Sequence, residues 1–380
     1  MKLAHVTPHL GGDVGKAHAA IASALPDVVQ HTYILLEEPR ERRHADALAA
    51  RGAQIVVPRY FDEVAALVRG ADVVQFDFWD HPRLLECMAC TPWPQMRTMV
   101  WSHIAGLAQP FVPARLIEAV SHFAFTTPAA LSQVTMETLS RTAKRKVWAI
   151  NNSFGLADPP AHSAREAPAI AYLGAIDFTK MHPGFFDAIE RLEGDDIHVM
   201  IWGDVDPSGE AAARAQAMQH SKRVQFFGKA ADEAHALSEA DIFFYPLRPG
   251  HSGVGSALIE AMSLGLVPVV FDNPQERTII RDGENGLIAR SVNECVFLLQ
   301  KLLTSRELRE RISRNAARYA AENKTPAQAA QEFMILWLGM LSEPKRVPDF
   351  RGAIGETPEE WRLATQHANW PKPPAQLRSA

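Results

Sequence analysis

The sequence predicts an α/β protein made of two Rossmann-like domains in series, and three observations carry that prediction. A chain of 380 residues exceeds what one hydrophobic core normally supports, so two domains are expected. Short apolar runs alternate with longer amphipathic ones from the first residues onward, the pattern of βα units on a parallel sheet. The alternation stops once, in the Pro-rich stretch SFGLADPPAHSAREAP at 153–168, and then begins again, which marks a linker.

The first domain, 1–152, opens on the strand KLAHVT, and KAHAAIASAL at 16–25 follows it as a helix of good formers with apolar residues at helical spacing. The runs TYILL, QIVVP, DVVQF, TMVWS and FAFTT are its further strands, and DEVAALVR at 62–69 is a helix whose Asp62 suits an N-cap. The second domain, 169–342, has strands AIAYLG, IHVMIWG, VQFFG, DIFFYPL and LVPVVF, with helices at 184–192, 232–239, 256–264 and 291–303. The run at 305–324 carries charges on most faces with Leu308, Ile312 and Tyr319 at near-helical spacing, so it reads as a solvated amphipathic helix. In the tail, 343–380, Pro-rich segments flank TPEEWRLATQHANW, whose Trp361 and Trp370 favour a short helix docked back on the first domain over a disordered end. Two such sheets in series are expected to face a central cleft, because ligands bind outside the carboxyl ends of strands in these folds.

Composition narrows the function. With 47% hydrophobic and 22% charged residues the chain reads as soluble and globular. A net charge of −5 argues against a dedicated nucleic-acid binder, which would carry enough Lys and Arg to neutralise several phosphates. Residues 1–150 carry +1 and the remainder −6, a mild asymmetry that points to the first half as the face for an acidic surface or lipid head group. No run approaches eighteen apolar residues and MKLAHVTPHLGG is unlike a signal peptide, so a cytoplasmic protein is expected, with peripheral association at the inner membrane face as a further expectation. Cys87, Cys90 and Cys295 fit a reducing compartment; the CxxC at 87–90 lacks a second pair at zinc spacing and reads as two thiols on one helical turn.

The most informative passage is ADIFFYPLRPGHSGVGSALIEAMSLGLVPVVFDNPQERTIIRDGENGLIA at 240–289. It reads as a buried strand, a Gly-rich loop, a helix opening near Gly255 and a second strand. Backbone N–H groups at such a helix start favour an anion, so Gly253, Val254, Gly255 and Ser256 are a natural seat for a diphosphate. Glu260, one turn inside, is placed to accept hydrogen bonds from two ribose hydroxyls.

Here the chain resembles the family 4 retaining glycosyltransferases, which have the GT-B fold. The resemblance rests on Glu260, Ala261, Met262, Gly265, Pro268, Val269 and Val270, followed by Glu276 and the turn of Asp282, Gly283, Asn285 and Gly286. Earlier, YLGAIDFTKMHPG matches the family's diphosphate-neutralising segment at Gly174 and Lys180, and HLGGDVGKAH supplies Gly11 and Gly12 as counterparts of its Gly-Gly loop. His103, at the end of TMVWS, sits where the family has a histidine near the transferred sugar. The similarity covers positions 1–340 in order, densely after 170. It departs at two places. The first Glu of the family's paired glutamates is Ser252, and the Arg after Gly174's counterpart is Ala175. Losing a cation beside two phosphates is costly in a desolvated site, and Arg248 is the expected substitute. His251 and Ser252 are expected to bond sugar hydroxyls in place of the missing carboxylate.

The resemblance implies transfer of a sugar from a UDP or GDP sugar to a glycan, a lipid-linked or a small-molecule acceptor, with retained configuration and without metal or other cofactor. Catalysis then rests on His103, Lys180 and Glu260 together with the amides of the Gly-rich loop. Asp77, Trp79, Asp80 and His81, from QFDFWDHP at a strand end, are candidates for the acceptor side, though they read equally well as a structural loop. Gly11 and Gly12 read also as a simple tight turn. The run GGDVGKA does not meet the spacing of a P-loop, so Lys16 is expected to be solvated. A catalytically inactive nucleotide-sugar-binding protein of the same fold is the competing reading, motivated by Ser252 and Ala175. A Rossmann dehydrogenase is disfavoured, because HLGGDVGKAH lacks the GxGxxG fingerprint.

Overall fold

The computed structural model describes residues 1–367 apart from 40, 160–166, 195, 208, 219–220, 222, 252 and 254. Ser252 and Val254, two residues of the expected donor loop, and Trp370 of the tail therefore lie outside the described residues.

The chain forms two compact units, Met1–Asn152 with Pro326–Ala380, and Ser153–Thr325. In the first, β1 (Lys2–Thr7), β2 (Gln30–Leu35), β3 (Gln54–Val56), β4 (Val73–Phe78), β5 (Thr98–Ser102), β6 (His122–Phe125) and β7 (Val147–Ala149) make one sheet in the order β3-β2-β1-β4-β5-β6-β7. All of its pairings are parallel. In the second, β8 (Ala169–Leu173), β9 (His198–Trp202), β10 (Val224–Gly228), β11 (Ile242–Tyr245), β12 (Val267–Phe271) and β13 (Leu287–Ala289) run parallel in the order β10-β9-β8-β11-β12-β13. Every residue of β4, β8, β11 and β12 is buried, as in parallel strands covered on both faces by helices.

Each sheet reverses its strand order once, between β1 and β4 in the first unit and between β8 and β11 in the second. A crevice opens outside the carboxyl ends of the strands at such a point, and ligands of doubly wound sheets lie there. Loops 8–11 and 79–81 flank the first switch point, and loops 174–184 and 246–256 the second. The Gly-rich and cation-bearing segments singled out from the sequence fall on these four loops.

The helix Pro326–Met340 belongs to the first unit, so the second unit ends at Thr325 and not at 342 as the sequence suggested. Its buried face is aromatic and finds aromatic partners there: Phe333 packs edge-on to Trp101 at 5.0 Å, and the Trp337 indole N–H donates to Met99 Sδ at 3.2 Å. Helical period alone could not tell which sheet this stripe covers. The tail also packs on the first unit. Phe350 lies against Phe76 at 5.0 Å and Trp93 at 5.9 Å, and the helix Pro358–Gln366 starts with a capping box between Thr357 and Glu360.

Candidate functional site

In the second unit the polypeptide leaves β8 at Gly174 and returns past Lys180, then leaves β11 through Pro246 to Arg248. A short antiparallel bridge joins these two loops, Met181 with Leu247, and the Arg248 N–H donates to the Lys180 carbonyl at 2.8 Å. Lys180 is half-buried with its Nζ 5.8 Å from the Tyr245 ring centre, while Arg248 is exposed and its guanidinium donates to the Phe178 carbonyl at 3.3 Å. Two cationic side chains thus stand on adjoining backbone at the switch point, where an anion is attracted to both. Ala175 is exposed and its carbonyl accepts the Tyr172 hydroxyl at 2.8 Å. His182, beside them, is held below the ordinary imidazole pKa by burial and by the charge of Arg248, so it adds no third positive charge at neutral pH.

The Gly-rich loop is anchored from below. His251 is buried; its Nδ1 is 3.0 Å from the Gly253 carbonyl and its Nε2 is 3.0 Å from Glu276 Oε1. Glu276, fully buried, also accepts from Asn273 Nδ2 at 3.1 Å, and Gln275 Nε2 donates to the His251 carbonyl at 2.8 Å. This corrects the expectation for His251. With both ring nitrogens occupied by protein groups it holds the loop, and does not offer a donor to a sugar hydroxyl. Gly253 and Gly255 are half-buried on that loop, Ser256 is the N-cap of the helix Ala257–Ser263, and Glu260 lies buried one turn inside it. The Asp282–Gly286 motif is a turn: Asp282 Oδ1 accepts from the Ile288 N–H at 2.9 Å, and Asn285 Oδ1 from the Arg281 N–H at 2.7 Å. Its side chains are spent on leading the backbone into β13.

In the first unit Gly11 is the N-cap of the helix Gly12–Ala24 and donates its N–H to His9 Nδ1 at 3.1 Å. Gly15 has a firmer requirement than either expected glycine, since a Cβ there would lie 1.8 Å from the Leu10 carbonyl oxygen. His9 in turn approaches Trp79 at 5.4 Å and His81 at 6.0 Å, so the loops after β1 and β4 meet. Their members divide by role. Trp79 and Asp80 are half-buried at the sheet end. His81 caps the helix Pro82–Cys90 by accepting the Arg83 N–H at 3.2 Å. Burial raises the Asp80 pKa, opposed by a hydrogen bond from Thr365 in the tail.

Asp77 has no exposure at all and cannot line an acceptor pocket, which corrects the sequence reading. Its carboxylate accepts from His18 Nε2 at 2.9 Å and from Gln75 Nε2 at 3.0 Å, and His103 Nε2 lies 3.7 Å away. Burial alone would raise its pKa, but the imidazoles of His18 and His103 outweigh it and hold the carboxyl well below the usual range. His103 is placed at the end of β5 by its N–H bond to the Phe78 carbonyl, and its Nδ1 is 3.2 Å from Asn152 Nδ2. Its Nε2 makes no hydrogen bond, and burial lowers the pKa of the ring.

His18, which the sequence reading did not single out, joins this group to a second one. Its Nδ1 is 3.4 Å from the Tyr33 hydroxyl, Tyr33 stacks on His5 at 4.4 Å, and His5 Nε2 is 2.9 Å from His31 Nδ1. The ligand-type atoms of His18, Asp77 and His103 lie within 4.8 Å of one another, the one such group among the described residues. Nothing local marked His18, because its partner is Asp77, on the sheet end of β4. No helix among the described residues is long and apolar enough to cross a membrane.

Residues 158–319 match the family described as glycosyl transferases group 1. A phosphatidyl-myo-inositol mannosyltransferase of Mycobacterium leprae is 30% identical over 186 residues, 46% of this chain and 48% of that protein. The lipopolysaccharide core biosynthesis glycosyltransferase LpsE of Rhizobium meliloti is 26% identical over 155 residues, 38% of this chain and 43% of that one. The chain thus spans about half the length, or less, of the curated relatives it matches. Among solved structures, Anabaena Alr3699/HepE in complex with UDP and glucose superposes with a TM-score of 0.70 at 14% identity, over 89% of this chain and 100% of that one. A glycosyltransferase from Rickettsia africae gives 0.71 at 12% identity, over 90% and 99%. At these identities the structures establish the fold, two parallel-sheet Rossmann-like domains of the GT-B type.

Proposed function

We propose that the chain, whose residues 158–319 match the group 1 glycosyl transferases, moves a sugar from a nucleoside diphosphate sugar, UDP or GDP, to a hydroxyl-bearing acceptor, with retention and without a metal. The observation that carries the proposal is the pair of cations at the second switch point, Lys180 and Arg248, joined by a 2.8 Å backbone bond. As the anomeric C–O bond of the donor breaks, the electron pair stays on the diphosphate, and fixed positive groups at that spot stabilise the charge as it develops. The new bond forms from the acceptor oxygen to the anomeric carbon, and the hydroxyl proton passes to the leaving phosphate. Arg248 takes the place of the cation missing at Ala175. The HepE structure holds UDP and glucose, which supports a nucleotide donor here. In the first unit, Gly11 and Gly12 remain as residues to meet the donor, and Trp79 and Asp80 as residues to meet the acceptor.

The exposed Ala175 where the resemblance calls for arginine keeps one alternative in view, a nucleotide-sugar-binding protein without turnover. Incubation with UDP- and GDP-sugars in EDTA, reading nucleotide release across acceptors, separates them. Release that Lys180→Ala abolishes supports transfer. Binding with neither transfer nor hydrolysis supports the alternative, and release that requires an added divalent ion contradicts the metal-free mechanism.

A further inference from the structure

Trp202 ends β9 and Phe227 lies near the end of its edge neighbour β10, and their rings stack at 4.9 Å with planes 15° apart. The two differ in exposure: Trp202 is 7% exposed and packed into the core of the second unit, whereas Phe227 is 50% exposed. The register of β10 on β9 shifts between Phe226 and Gly228, so Phe227 occupies an irregularity at the carboxyl end of the strand. Such bulges re-aim a side chain, and this one lays an aromatic ring flat on its buried neighbour with the opposite face open. The covered face of Phe227 is buried against Trp202, and its other face is left open to solvent.

The pair is contiguous with the loop that carries the cations. The Gly174 N–H donates to the Trp202 carbonyl at 3.0 Å, and the Gly203 N–H to the Gly228 carbonyl at 2.8 Å. Backbones run so close there that a Cβ on Gly203 would lie 1.8 Å from the Gly174 carbonyl oxygen. The sheet end therefore presents, side by side, a cationic loop for phosphates and an aromatic face. A nucleotide has those two complements in one molecule.

We propose that the open face of Phe227, backed by Trp202, is the platform on which the base of the donor nucleotide stacks. The proposal rests on the second unit being the nucleotide-binding one. Stacking of a base on an aromatic ring is insensitive to which base it is, so the platform supplies affinity for a nucleoside and leaves the choice between uracil and guanine to other contacts.

The test is calorimetric binding of UDP, GDP and ribose 5-diphosphate, which keeps the sugar and both phosphates but has no base, to the wild type, Phe227→Ala and Phe227→Trp. Circular dichroism melting of each variant checks that it is folded, which exposure of Phe227 makes the expectation. Phe227→Ala should weaken UDP and GDP by about five-fold or more and leave ribose 5-diphosphate unchanged, and Phe227→Trp should keep nucleotide affinity. Unchanged nucleotide affinity in Phe227→Ala, or an equal loss for ribose 5-diphosphate, overturns the platform and leaves the donor site standing. A folded wild type that binds none of the three ligands overturns the donor site, and the platform with it.

Discussion

The Arg248 N–H donates to the carbonyl of Lys180 at 2.8 Å, although the two residues belong to loops that leave different strands. This bond joins the two backbones that carry the cations outside β8 and β11, and the proposed donor site is organised around it. One cation is half-buried and the other exposed, so they differ in how strongly salt screens them.

Raising the salt from 50 to 500 mM should therefore weaken nucleotide binding, chiefly through Arg248. The salt dependence of UDP or GDP affinity is expected to be shallower in Arg248→Ala than in the wild type. Equal slopes in titrations at several salt concentrations would remove Arg248 from the phosphate site.

His251 and Glu276 make a buried pair, with side chains 2% and 0% exposed. Replacing His251 with Leu leaves the Glu276 carboxylate short of a partner away from water, at a cost of about 2–4 kcal/mol. Denaturant unfolding should show that loss in the second unit. Full stability together with an altered sugar preference would restore His251 to the donor contacts.

The histidines of the first unit predict an acid limb. Burial, with the charges of His18 and Arg51, lowers His31 to about 4, and burial and His31 hold His5 well below its ordinary value. The unfolded chain takes up these protons near pH 6.5 and the folded one does not, so stability is full above about pH 6.5 and falls as the pH drops toward 4. The melting temperature of the first unit should decline by several degrees over that window. His31→Gln should flatten the decline, and an identical pH profile in that variant would contradict the assignment.

Trp337 packs in the first unit although the sequence placed its helix with the second. Trp337→Ala should destabilise the first unit by about 3–5 kcal/mol. Hydrogen exchange should show faster opening around Met99 and His5. Protection lost only in residues 169–325 would put the helix back with the second unit.

The strands long enough to show a continuous apolar run were legible in the sequence. β7 and β13, Val147–Ala149 and Leu287–Ala289, were not, whereas the equally short β3 lies within the run QIVVP. Gly174 directly follows β8, and Lys180 and Arg248 lie on the loops after β8 and β11; turn glycines and lone cations after a buried strand are local signals. Pairs remote in sequence left no such signal. His18 finds Asp77 across 59 positions and His251 finds Glu276 across 25, and both look like ordinary polar residues until the backbone brings them together. Arg309 is the same case inside a charged helix: it is 2% exposed and donates to the Leu302 carbonyl at 2.6 Å, where the sequence suggested a solvated face.

Isothermal titration of UDP and GDP into the wild type, Lys180→Ala and Arg248→Ala tests the central claim most directly, because the proposed donor site is built on these two cations. The account predicts saturable binding of one nucleotide to the wild type, with the affinity reduced ten-fold or more, about 1.4 kcal/mol, in each variant. Wild-type affinity in both variants, or no binding of either nucleotide to the folded protein, would contradict it.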